Sequence, residues 1–140
     1  MKGFTLVEIV IVIAIFLILT ALLITPFVLL NKEQSLTGSA LIIKATLSEA
    51  GSRTISSDGE KQYGITFTEG EDSIILFSST GSETEVSLNS YVTISDVSLT
   101  SGGDVTFDRL TGEIDNPGTI TITNGEATKV ITIYATGVVE

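Results

Sequence analysis

The chain has 140 residues and a formal net charge of −10, with 17 acidic against seven basic side chains and neither histidine nor cysteine. Missing both residue types, it lacks the commonest general base and is excluded from thiol redox chemistry and thiolate metal sites. The acidic balance leaves no cluster of Lys and Arg to meet a phosphate backbone, so no nucleic acid is expected as a partner.

The chain opens on "KGFTLVE" (2–8) and then runs apolar to Leu30 with no charge after Glu8. More than about 18 consecutive apolar residues predict a membrane-spanning helix. A secretory signal has a shorter apolar core, with a small-residue cleavage site close behind it. The nearest small-residue cluster here, "TGSA" (37–40), lies well past the apolar edge. The segment is therefore expected to be retained as a single pass, with Lys2 holding the N-terminus in the cytoplasm and the rest of the chain outside.

Glu8 is the anomaly in that run, and it has two readings. Thr5 and Glu8 fit the S/T-x-x-E capping box, and a carboxylate in the first turn complements the helix dipole. The second reading supposes a cut after Gly3, which places a new α-amino group on Phe4, four residues from Glu8. A carboxylate in hydrocarbon needs a cation. The amine supplies it, either within one chain or from the next copy in a stack of axially offset parallel helices.

The helix is expected to continue beyond the apolar run. Leu36, Ala40, Ile43, Leu47 and Ala50 form a stripe at helical spacing, while Lys32, Glu33, Lys44, Glu49 and Arg53 fall off it. Residues 5–55 then make one helix of about 75 Å, apolar all round in its first half and amphipathic in its second. Pro26 is the kink candidate and Gly38 a second weak point.

"SSDGEKQYG" (56–64) breaks the helical period, and strand-like alternation follows at 63–67, 73–78, 84–99, 104–108, 118–124 and 129–135. Turns are expected at "EGED", "TGSE", "SGG", "NPG" and "NGEA", and the last two strands form a hairpin through Asn124 and Gly125. The predicted fold class is α+β: a long N-terminal helix whose amphipathic half covers a small antiparallel β-sheet head.

No catalytic residues are expected. No lysine follows a serine by three positions, and the acid pairs Glu71/Asp72 and Glu83/Glu85 fall in or beside predicted turns. No cofactor is expected either. Asp108, Glu113, Asp115 and Asn116 cluster around a turn as a calcium candidate, in a spacing unlike the EF-hand loop; solvated surface acids are the other reading.

"KGFTLVE" followed by a long apolar run resembles the class III leader of type IV pilins and type II secretion pseudopilins. The resemblance implies cleavage by a prepilin peptidase between Gly3 and Phe4, N-methylation of Phe4, and filament assembly through Glu8. It divides the chain into a leader (1–3), a transmembrane and assembly half-helix (4–30), an amphipathic half-helix (31–55) and a β-rich head (56–140). The implied partners are other pilin or pseudopilin subunits, the peptidase, an inner-membrane assembly platform and, before assembly, membrane lipid. The implied location is the cytoplasmic membrane, then an extracellular or periplasmic filament. "LSEAGSR" (47–53), "DVTFDRLTGEI" (104–114) and "KVITIYATGVV" (129–139) are similar to H-type pseudopilins and FimT-like minor pilins. DNA-binding FimT-like members carry basic residues near the C-terminus, where this chain has Val138, Val139 and Glu140, so DNA uptake is not implied. The alternative is a single-span, membrane-anchored β-domain that binds or adheres and never polymerises.

Overall fold

The computed structural model describes residues 3–56 and 61–140; the side chains of 22–30 lie outside the description. Among the described residues seven strands follow one helix: α1 (Leu6–Ser56), β1 (Tyr63–Phe67), β2 (Ser73–Ser78), β3 (Glu83–Ser87), β4 (Thr93–Leu99), β5 (Asp104–Thr106), β6 (Gly118–Thr123) and β7 (Thr128–Ile133). The chain divides into two compact units, residues 1–32 and 33–140.

In the first unit the described side chains of α1 are exposed on every face, from Leu6 through Leu19. Thr20 turns its hydroxyl back onto the Phe16 carbonyl at 2.8 Å, so its polar atom is satisfied within the helix. Among the described residues no helix is long and apolar enough to cross a membrane. The helical assignment runs through position 26, and the expected Pro26 kink concerns a side chain outside the described residues.

The second unit holds the core. Leu36, Ala40, Ile43, Leu47 and Ala50, the stripe expected from spacing, are all buried. They join one cluster with Ile65, Phe67, Ile74, Leu76 and Val105 from one sheet and Ile94, Ile120, Ile122, Ile131 and Ile133 from another. The buried face of the helix is wider than the apolar stripe, because Ser39, Thr46 and Thr54 are buried beside it. Each is tied down: Ser39 Oγ accepts the Asn89 N–H at 3.1 Å, Thr46 donates to the Ile42 carbonyl, and Thr54 donates to Ala50 O while accepting the Tyr63 N–H. Among the described residues no buried side-chain nitrogen or oxygen lacks a partner, as a well-specified core requires.

The head contains two antiparallel sheets where the sequence predicted one: β3-β2-β1-β5 and β4-β6-β7. The expected strand 84–99 is broken in two. Leu88 and Val92 are both buried, and the turn between them closes through Val92 N–H on the Asn89 carbonyl and Tyr91 N–H on Asn89 Oδ1. Asn-Ser punctuation ends one strand there and starts another in the second sheet. Within β4 the register shifts between Ile94 and Asp96, so Ser95 is an extra residue whose hydroxyl donates to Thr121 O. That bulge is what puts Ile94 and Val97, three apart, on the same face opposite Ile122 and Ile120.

Glycines on α1 differ in what surrounds them. A Cβ at Gly51 would stand 3.1 Å from Phe107 Cε1, whose ring packs on the helix there, whereas a Cβ at Gly38 meets nothing within 4 Å. Gly38→Ala therefore removes backbone entropy without a clash and raises stability by about 0.5–1 kcal/mol. A denaturant midpoint that rises with an unchanged slope is the expected result.

Candidate functional site

Thr5 sets the start of α1. Its Oγ1 accepts the backbone N–H of Glu8 at 3.3 Å, and its carbonyl accepts the Ile9 N–H at 3.3 Å. This is the N-cap half of the expected capping box, with one orphan donor satisfied by the threonine side chain. Gly3 and Phe4 precede the helix. Phe4 is 81% exposed, and a Cβ at Gly3 would meet nothing within 4 Å. The peptide bond between them is therefore exposed and lies ahead of the helix.

The cap uses the backbone of Glu8, and the carboxylate itself is left over. Among the described residues it has neither a hydrogen bond nor an ion pair. It is exposed on a face shared with Phe4, Ile9, Val12 and Ile13, an otherwise apolar strip. An apolar setting raises the cost of an ionised carboxylate unless a cation joins it. Lys2 lies outside the described residues.

The calcium candidates do not converge. The Asp108 carboxylate accepts the Leu110 N–H at 2.9 Å, and Asp115 Oδ2 accepts the Thr106 hydroxyl at 3.1 Å. Asn116 donates its amide to the Asp104 carbonyl. Among the described residues no group of three or more acids stands close enough to hold a metal ion. The 108–116 loop instead ties the sheets together: Phe107 bridges to Ile114, and Ile114 N–H donates to Ala135 O at 2.9 Å, beyond the end of β7. The expected strand 104–108 ends at Thr106 for this reason, since Asp108 caps the tight turn that Gly112 completes at a φ of +71°.

Glu83, expected in the "TGSE" turn, is the first residue of β3, and Glu85, inside the expected strand 84–99, is a β3 residue as well.

Residues 1–24 match the family model described as the prokaryotic N-terminal methylation motif. Among solved structures, the fold is similar to the type IV minor pilin FimU of Pseudomonas aeruginosa. The TM-score is 0.58 at 17% sequence identity, over 79% of this chain and 90% of that one. A comparison with curated protein sequences finds no match. The long helix followed by antiparallel β-structure is thus the type IV pilin-like α+β fold.

Proposed function

We propose that the chain is a structural subunit of a type IV pilus or type II secretion pseudopilus, a minor pilin or H-type pseudopilin, and not an enzyme. The observation that carries the reading is the N-terminal methylation motif over residues 1–24. Its geometry agrees: an exposed Gly3–Phe4 bond stands ahead of a helix whose first turn bears a carboxylate with no partner among the described residues.

In this reading a prepilin peptidase cuts after Gly3, and Phe4 becomes the N-methylated first residue. The apolar run, which continues in the sequence to Leu30, holds the precursor in the cytoplasmic membrane with the head outside. Assembly moves that helix from lipid into a bundle of neighbours. Apolar surface exchanges lipid for helix at little net gain. The directional term is electrostatic: Glu8 of one subunit neutralises the Phe4 amine of the next, which fixes the axial offset between them.

Gly3 has no side chain, and the cut needs none there. Gly3→Arg places a long cation beside the scissile bond and is expected to leave an uncut precursor, visible as a slower band on a gel of membranes that contain the peptidase. Processing at the wild-type rate would count against cleavage at this bond.

A further inference from the structure

The geometry points to the outer edge of β3 as a docking site for an extended, lysine- or arginine-bearing segment of another protein, added to the sheet as a fifth strand. The two sheets have four edges, β3, β5, β4 and β7, and three carry a segment of this chain. On β4, Gly70 N–H donates to Ile94 O, Ile94 N–H donates to Glu71 O, and Glu69 Oε1 accepts the Val97 N–H. On β5, the Asp115 N–H donates to Thr106 O at 3.3 Å. On β7, the C-terminal segment returns so that Thr132 and Glu140 exchange two bonds of 2.9 Å.

Nothing covers β3 among the described residues. Ser78 N–H donates to Ser82 O and Leu88 N–H donates to Asp72 O, at either end of the β2–β3 ladder. Antiparallel pairing alternates, so residues 82, 84, 86 and 88 face β2. The N–H and C=O groups of Glu83, Glu85 and Ser87 therefore aim outward, and all three residues are exposed. A row of outward backbone groups is a template for strand addition.

Charge selects the occupant. Glu83 and Glu85 lie on one face of the strand, where an incoming strand sets its own side chains directly opposite. A second copy of this chain brings a net charge of −10, and its own β3 would set glutamate against glutamate. A strand with Lys or Arg at alternate positions forms cross-strand pairs instead, and the same two glutamates keep neutral strands from adding indiscriminately.

The test uses the full chain in detergent micelles and a synthetic peptide alternating Lys with Val and Thr. The readout is amide hydrogen exchange at Glu83, Glu85 and Ser87. The peptide is expected to slow exchange at these three amides by about tenfold or more when bound, and added salt is expected to reverse the effect. Glu85→Pro deletes an outward N–H that the β2 ladder does not use, so the head keeps its fold and peptide protection disappears. Glu83→Lys with Glu85→Lys weakens binding of the lysine peptide about tenfold and favours its glutamate counterpart. No protection, equal protection by the glutamate peptide on the unaltered chain, or protection that grows with protein concentration in the absence of peptide would each overturn the proposal. None of these outcomes depends on whether the N-terminus is cleaved.

Discussion

Glu8→Leu is expected to leave the protein inserted in the membrane and to abolish its entry into filaments. The capping role and the proposed assembly role fall on different parts of the residue. The capping bond runs from the Glu8 backbone N–H to Thr5 Oγ1 at 3.3 Å, so a leucine at position 8 keeps it. What leucine loses is the carboxylate, which has no partner among the described residues. In the proposed filament that loss strands the neighbour's Phe4 amine in an apolar bundle. Breaking one side of a buried pair costs about 3–5 kcal/mol, which is on the order of a hundredfold or more in incorporation. Thr5→Ala is the contrasting variant: it removes the cap at a cost of about 1 kcal/mol, keeps the charge and should still assemble. Pull-down of tagged filaments, read against total membrane protein, checks both variants. Normal filaments from Glu8→Leu would show that assembly does not need the carboxylate.

The second large effect is on the head. Leu47 is 0% exposed in the middle of the helix stripe, while Leu41, on the same helix, is 63% exposed. Leu47→Ala empties a fully buried site in the core cluster that the helix shares with residues of both sheets and is expected to cost about 2–5 kcal/mol, a large share of the roughly 5–15 kcal/mol typical of a whole domain. Leu41→Ala is expected to change stability by less than about 0.5 kcal/mol. Chemical unfolding of the two variants under one set of conditions gives the comparison. Equal destabilisation would mean that the stripe is not the buried face.

Much of this was legible because helical spacing and strand alternation are short-range signals. The stripe from Leu36 to Ala50 needed only a period, and the hairpin between β6 and β7 needed only Asn124-Gly125 between two apolar runs. The division into two sheets was not legible. Leu88 and Val92 continue the apolar content of a strand while the chain turns between them, and only tertiary packing shows that both point inward from a turn. The bulge at Ser95 was hidden for a related reason, since a period of two cannot place Ile94 and Val97 together. Thr54 and Ser39 look like ordinary polar residues off the stripe; their burial depends on partners nine and fifty residues away. At the N-terminus the proposed site is compact in sequence, because the cap, the Gly3–Phe4 bond and Glu8 all fall within six residues, 3–8. The structure adds that the cap uses the backbone of Glu8, whose carboxylate has no partner among the described residues.

The most direct test of the central claim is the intact mass of the mature chain, isolated from membranes that contain the processing peptidase. The account predicts a mass that corresponds to a chain beginning at Phe4 and carrying one added methyl group, with fragmentation placing that methyl on the α-amine. A chain that still begins at Met1, or an unmethylated chain cut elsewhere, would contradict it.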